Sequence, residues 1–128
     1  MVNRAADFLT VEYRKILAPF RPPEKKIQHR SFVLYQLALG ISHLEGDTVE
    51  CGVGNGKGSH LIRVATHQPH RRHHIFDSFE GLSEIQPEDR TGDDLQWKKG
   101  QMARSLAKVE RNLSRFTPGF ENIDFYKG

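Results

Sequence analysis

The spacing of apolar residues predicts four helices. Apolar side chains recur every three or four positions, the period of an amphipathic helix, at residues 7–18, at about 25–44, between a glycine-rich segment and Gln68, and from Met102 to Phe116. Proline or turn residues follow each stretch and end the helix. In the second helix the apolar stripe consists of Ile27, Leu34, Leu37, Ile41 and Leu44.

Three short segments rich in β-branched and aromatic residues are predicted to be strands. They cover residues 48–53, 73–77 and 123–126. The order strand, helix, strand, helix, strand is typical of a parallel sheet with right-handed crossovers. The polar stretch from Ser78 to Lys99 has no sustained period, so we interpret it as a long loop, a kind of segment that often acts as a lid or binding loop.

The glycine-rich segment joins the first strand to the next helix. It reads Gly-Val-Gly-Asn-Gly-Lys-Gly from residue 52 to 58, and Gly58 or Ser59 is the expected helix cap. Asp77 ends the second strand, 25 positions after Gly52. Ligands of open α/β sheets bind beyond the carboxyl ends of the strands, so the glycine loop and Asp77 should face one crevice.

The spacing of these glycines excludes two common phosphate-binding motifs. A P-loop needs glycine five positions before its Gly-Lys pair and Ser or Thr directly after the lysine, but Cys51 and Gly58 occupy these positions. A dinucleotide fingerprint ends in Gly or Ala, but Lys57 or Ser59 stands there, depending on the register. A tight strand-to-helix turn without a ligand remains an alternative.

The remaining pattern is an acidic residue, Glu50, two positions before Gly-x-Gly-x-Gly. It resembles the first motif of class I S-adenosylmethionine-dependent methyltransferases. Glycines let the backbone approach a cofactor closely, and the amides at the start of the next helix can bind its carboxylate. The charge of Glu50 favours the amino group or sulfonium of a cationic cofactor and would repel a pyrophosphate. Asp77 can accept hydrogen bonds from two ribose hydroxyls.

Two sequence blocks carry a closer resemblance. Val-Glu-Cys-Gly-Val at 49–53 and Ile-Phe-Asp-Ser-Phe-Glu-Gly-Leu at 75–82 resemble the macrocin O-methyltransferase family, as does a later helix with an Asn-Leu pair at 112–113 followed by a strand. The candidate cofactor contacts, most of them carried over from the family by position, are Glu50, Gly52, Val53, Gly54, Gly56, Ser59, Asp77 and Ser78.

The resemblance implies a fold, a cofactor and a substrate class. It implies the N-terminal part of a Rossmann-like methyltransferase sheet, S-adenosylmethionine as cofactor, and methyl transfer to a hydroxyl of a small molecule such as a sugar of a macrolide-like natural product. In the family, a magnesium ion held by carboxylates of later strands orients the acceptor, so Mg²⁺ would depend on residues beyond the end of this chain. We assign no metal ligand or catalytic base here. Carboxylates of the polar loop are interpreted as solvated or lid residues: Glu84, Glu88, Asp89, Asp93 and Asp94.

Composition and charge narrow the choice of cellular compartment and binding partners. The single cysteine, Cys51, cannot form an internal disulfide, and no apolar run approaches the ~18 residues of a membrane span, so we expect a cytoplasmic protein without a membrane partner. The net charge of +3 is small, and we interpret the basic turn around Arg71 and Arg72 as solvated, which argues against nucleic acid. The alternative functions are a non-catalytic nucleotide-binding domain and an RNA methyltransferase. The sequence does not determine whether the protein forms a homo-oligomer.

The order of the elements divides the chain into two segments. Residues 1–46 are predicted to form an N-terminal helical segment, and residues 47–128 the cofactor-binding half of a Rossmann-like domain. In the common strand order of such sheets, 3-2-1-4-5-6, the first strand lies in the middle. Here it would be an edge, so we expect the domain to be truncated after its third strand.

Overall fold

The computed structural model describes residues 11–20, 28–90 and 97–128. Two helices come first, and strands and helices then alternate along the chain. The elements are α1 (Val11–Leu17), α2 (Gln28–Gly40), β1 (Thr48–Cys51), α3 (Lys57–Thr66), β2 (His73–Asp77), α4 (Leu106–Phe116) and β3 (Ile123–Lys127). The predicted order of elements is therefore confirmed for the described part of the chain, whereas residues 7–10 of the first predicted helix and 25–27 of the second lie outside it.

The three strands form one parallel sheet in the order β1-β2-β3. Thr48 lies opposite His73, which lies opposite Ile123, and the register continues without a slip to the ends of the strands. Because both crossovers are helical and the strands follow their sequence order, α3 and α4 lie on the same face. This is the predicted fold class: the N-terminal part of a Rossmann-like sheet preceded by helices.

The covered face of the sheet holds the main hydrophobic core. Side chains of β2 and β3 pack there against α4 and against the residues that follow β1 and β2; the buried members are Val53, Ile75, Phe79, Val109, Leu113 and Ile123. A second cluster of Tyr13, Leu17 and Leu61 attaches α1 to α3. Full burial of an aliphatic side chain such as Leu113 contributes about 1.5–3 kcal/mol, so these contacts fix α4 against the strands.

The opposite face of the sheet is exposed over much of its area. Alternation along the strands places Val49, Phe76 and Tyr126 there, and all three are exposed. The rings of Phe76 and Tyr126 stack with their centroids 4.5 Å apart. His74 lies on this face as well, whereas its neighbour His73 is buried on the covered face, as the alternation of side chains along a strand requires.

Most of the apolar stripe predicted for the second helix lies outside the contact face of α2: Leu37, Ile41 and Leu44 are exposed and Leu34 is partly buried, while Ile27 lies outside the described residues. Leu37 is 66% exposed, while the small residues Ser31 and Ala38 are buried. The partly buried Phe32 and Tyr35 pack onto the cluster around Tyr13. Small side chains let α2 approach its neighbours closely, so the buried side of the helix is one that periodicity of large apolar residues does not mark.

Three predicted boundaries are corrected by local backbone geometry. Helix α4 begins at Leu106 and not at Met102, because Met102 has a left-handed φ of 66° and the Ser105 hydroxyl caps the helix by accepting the Lys108 N–H at 3.4 Å. Helix α2 ends at Gly40, where turns replace the helix, and β1 ends at Cys51, before the turn that begins the glycine loop.

Candidate functional site

The loop between β1 and α3 depends on glycine. Gly52, Gly54 and Gly56 have φ of 86°, 54° and 92°, which side chains with a Cβ rarely adopt. A Cβ at Gly52 or Gly54 would meet no atom within 4 Å, so these two residues border open space. A Cβ at Gly56 would lie 3.1 Å from the side chain of Leu113, which shows how closely the loop packs on α4.

Asp77 joins the glycine loop to the end of β2. Its Oδ2 accepts the backbone N–H of Val53 at 2.8 Å, and its Oδ1 accepts that of Phe79 at 2.6 Å. The Gly52 N–H also donates to the Phe76 carbonyl at 2.8 Å. The structure thus brings the two sequence blocks together at the carboxyl ends of β1 and β2, as the sequence predicted. Each carboxylate oxygen can accept more than one hydrogen bond, so Asp77 retains acceptor capacity for a ligand.

The block after β2 folds into a tight turn. The Ser78 hydroxyl donates to the Gly81 carbonyl at 3.0 Å and accepts the Glu80 N–H at 3.2 Å. Phe79 is buried with a left-handed φ of 56°, an unfavourable conformation that the packed core holds in place. The Ser78 hydroxyl therefore supports the turn and keeps a single lone pair for another donor.

Glu50 lies beneath the first turn of α3. Its Oε2 accepts a hydrogen bond from the Ser59 hydroxyl and lies 3.6 Å from Nε2 of His73. Ser59 is completely buried, and the cap of α3 is Gly56, so the prediction that Ser59 or Gly58 caps this helix is wrong. The backbone turns at Gly56 without a side-chain cap, and the Ser59 hydroxyl binds a carboxylate instead. A direct contact from Ser59 to a cofactor stays a prediction.

Two contacts at the candidate site are not predicted by the sequence analysis. The Asn112 side chain donates to the backbone carbonyl of Asn55 at 2.9 Å, which ties the tip of the glycine loop to α4. Partial burial lowers the pKa of the neighbouring Lys57 ammonium. His73 beneath Glu50 was also missed, although strand alternation places it on the same face as Ile75 and thus on the covered side.

The basic turn before β2 is only partly solvated, since His67 and His70 are exposed and Arg71 is not. Arg71 is buried, and its guanidinium donates to the carbonyls of Leu44, Gly46 and Thr66. Arg72 forms a bidentate pair with Asp124 at 2.5 and 2.6 Å, and this hydrogen bonding raises the pKa of the arginine and lowers that of the carboxyl. The interpretation of a solvated turn is therefore wrong for Arg71, while Arg72 is paired with Asp124 and partly exposed.

The described residues contain no group of three or more His, Cys, Asp or Glu that could hold a metal ion. Glu84 pairs with Lys99 on the exposed surface at 3.4 Å, and Glu88 and Asp89 are exposed at a 3-10 turn. Asp93 and Asp94 lie outside the described part of the chain. Over 11–20, 28–90 and 97–128, none of the helices has the length and apolarity needed to cross a membrane.

Fold and site together define a class of protein. A parallel strand that ends in a glycine loop, an acidic residue before that loop, and an aspartate at the end of the next strand are the arrangement of a Rossmann-like methyltransferase. Comparison with family models agrees: the model described as macrocin-O-methyltransferase (TylF) matches residues 35–128. The chain belongs to the macrocin O-methyltransferase family.

A solved structure with a similar fold is that of CalS11, a calicheamicin methyltransferase. The TM-score is 0.61 at 16% sequence identity, with 98% of this chain and 55% of that chain covered. The present chain therefore spans about half the length of this structure, and at this identity the likeness concerns the fold. A comparison with curated proteins finds no significant match.

Proposed function

We propose that this chain is the cofactor-binding part of an S-adenosylmethionine-dependent O-methyltransferase that acts on a hydroxyl of a small molecule, a sugar of a macrolide-like natural product. The observation that carries the proposal is the hydrogen bond from the Val53 N–H to Asp77 at 2.8 Å. It joins, at the carboxyl ends of two strands, the two sequence blocks in which the chain resembles its family. Membership of the macrocin O-methyltransferase family and the fold shared with a calicheamicin methyltransferase support the substrate class.

The residues present fit this cofactor. The open space beside Gly52 and Gly54 lets a ligand approach the backbone, and Asp77 at its border can accept hydrogen bonds from ribose hydroxyls. We assign Val53, Gly56 and Ser78 to the cofactor site by their positions in the loop after β1 and the turn after β2, and Glu50 supplies negative charge beneath the glycine loop. A carboxylate side chain of this kind favours a cationic ligand over a phosphate. When bound, S-adenosylmethionine would supply the methyl group on its sulfonium.

The contribution of these residues is positioning. Methyl transfer needs the acceptor oxygen in line with the methyl carbon, so a rigid cofactor cleft lowers the entropic part of the barrier. The rigidity comes from the glycine loop, which β2 holds through Asp77 and α4 holds through Asn112. We propose that residues 47–128 form this cofactor-binding unit and that residues 1–46 form a helical segment attached to it. The resemblance to the family implies that any Mg²⁺ would depend on residues beyond this chain, and no catalytic base is assigned.

Calorimetric titration of the full-length protein with S-adenosylhomocysteine, NAD and ATP tests the proposal. We expect S-adenosylhomocysteine to bind most tightly, and Asp77→Asn to weaken its binding about tenfold, because a hydrogen bond to a charged group is lost. Asp124→Asn is the matched control, since it makes the same chemical change on the exposed face of the sheet. Tighter binding of NAD or ATP would support a non-catalytic nucleotide-binding domain and would contradict the methyltransferase.

A further inference from the structure

His73 is completely buried beneath the glycine loop, and the proposed function gives it no role. Its Nδ1 lies 2.8 Å from the hydroxyl of Thr48. Its Nε2 has no hydrogen-bond partner among the described residues and lies 3.6 Å from Oε2 of Glu50. Buried polar atoms are almost always paired, so an imidazole nitrogen this close to a carboxylate calls for an explanation.

The arrangement of donors places a proton on Nε2. If the Thr48 hydroxyl donates to the Arg72 carbonyl, 3.4 Å away, Nδ1 must carry a hydrogen and donate to Thr48. The neutral ring would then turn a lone pair of Nε2 toward Glu50, which is repulsive beside a carboxylate. A ring protonated on both nitrogens would turn an N–H toward it. If the Thr48 hydroxyl instead donates to Nδ1, the neutral imidazole carries its hydrogen on Nε2. In each favourable arrangement Nε2–H faces Glu50.

We propose that His73 is a positioning residue that holds the carboxylate of Glu50 for the cofactor. The Ser59 hydroxyl binds the same oxygen of Glu50 from α3, so the carboxylate lies between a helix donor and a strand donor. A shortening of roughly 0.5 Å brings the imidazole within hydrogen-bond distance. The inference rests on the proposed function, because it takes the cationic end of S-adenosylmethionine to be the group that the positioned carboxylate favours.

A matched pair of amide substitutions separates the two contacts of this imidazole. The amide nitrogen of glutamine occupies the place of Nε2, so His73→Gln keeps a donor to Glu50 and loses the contact with Thr48. The amide nitrogen of asparagine occupies the place of Nδ1, so His73→Asn keeps the Thr48 contact and loses the donor to Glu50. We expect His73→Asn to weaken S-adenosylhomocysteine binding about tenfold and His73→Gln to stay within about threefold of the wild type.

Denaturant unfolding of both variants supplies the control, since a purely structural role predicts loss of affinity in proportion to loss of stability. Equal affinities of the two variants, or weaker binding by His73→Gln, would overturn the inference. Absence of binding by the wild-type protein would instead contradict the proposed function. The two failures are therefore distinguishable.

A second measurement needs neither ligand nor a His73 variant. Long-range ¹H–¹⁵N NMR of the imidazole rings reports which nitrogen of His73 is protonated. We expect a protonated Nε2 whose signal shifts in Glu50→Gln but not in Glu80→Gln, because Glu80 is exposed and pairs with Lys127. An Nε2 without a proton, or a signal that does not respond to Glu50→Gln, would show that His73 does not hold this carboxylate.

Discussion

Replacing Gly58 by alanine should separate binding from stability at this site. Gly58 is the second residue of α3, and a Cβ there would overlap Oε1 of Glu50 while lying 3.7 Å from the side chain of Leu34. Its backbone is helical and does not need positive φ, so alanine is compatible with the conformation. The overlapping oxygen is the end of a flexible side chain. The carboxylate will therefore move, and the backbone will not.

The expected change in stability is the difference of two small terms. Alanine in a helix is favoured over glycine by roughly 0.5–1 kcal/mol. Displacing Glu50 loses its hydrogen bond from Ser59, a charge-assisted bond worth about 1.5–3 kcal/mol. Partial access of Glu50 to solvent places this loss near the lower end, so the free energy of unfolding should fall by only about 1 kcal/mol. Binding of S-adenosylhomocysteine should fall about tenfold, because the carboxylate leaves its position.

Urea unfolding and calorimetric titration of the same samples give both numbers. Gly40→Ala is the control, since Gly40 is also helical and a Cβ there would meet no atom within 4 Å. Wild-type affinity in the Gly58→Ala protein would refute the role given to the position of Glu50. A loss of stability greater than about 3 kcal/mol would refute the argument that a side chain alone gives way.

Two further predictions concern stability. Gly81 and Gly100 have φ of 82° and 76°, but a Cβ at Gly81 would lie 2.5 Å from the Gln101 carbonyl oxygen, whereas at Gly100 the nearest atom is 3.8 Å away. Gly81→Ala should therefore destabilise the protein by about 2–5 kcal/mol and Gly100→Ala by about 1–2, measured by urea unfolding; equal losses would contradict the steric argument. Burial lowers the pKa of His60 from 6.5, so the unfolded state binds more protons as pH falls below 6.5 and stability decreases there. Urea unfolding at several pH values should show that the free energy of unfolding of the wild type falls as the pH drops below 6.5, and that it falls less in His60→Gln.

The strands were predictable because their limits are set by local chemistry. The second strand was predicted at its observed bounds, His73–Asp77, since a proline-containing turn precedes it and the polar block follows it. The fourth helix was extended too far because Met102 continues the apolar period, and a period does not reveal a left-handed φ. The residue that marks the observed start of this helix is Ser105, because a serine directly before an apolar run is a common N-cap.

The contact face of α2 was not predictable in the same way. Periodicity shows that large apolar residues share a side of a helix, but it does not show which element lies next to that side. In α2 the residues buried against the neighbouring elements are the small Ser31 and Ala38, whereas Leu37 is exposed. Small buried residues carry almost no periodic signal, so only the three-dimensional arrangement identifies them.

At the site, the sequence predicted backbone requirements better than side-chain partners. Positive φ at Gly52, Gly54 and Gly56 is a local requirement, and glycine is the residue that meets it, so the sequence shows where it applies. Val53, which donates to Asp77, lies 24 positions from it, and Ser59 lies 9 positions from Glu50; no local pattern marks these two pairs. One consequence concerns mutagenesis: a substitution at Asp77 changes the geometry of the loop together with its ligand contacts, whereas Gly58→Ala moves a carboxylate and leaves the loop intact. Weak binding by both variants, with stability lost mainly in the Asp77 variant, is the pattern that a positioned carboxylate predicts.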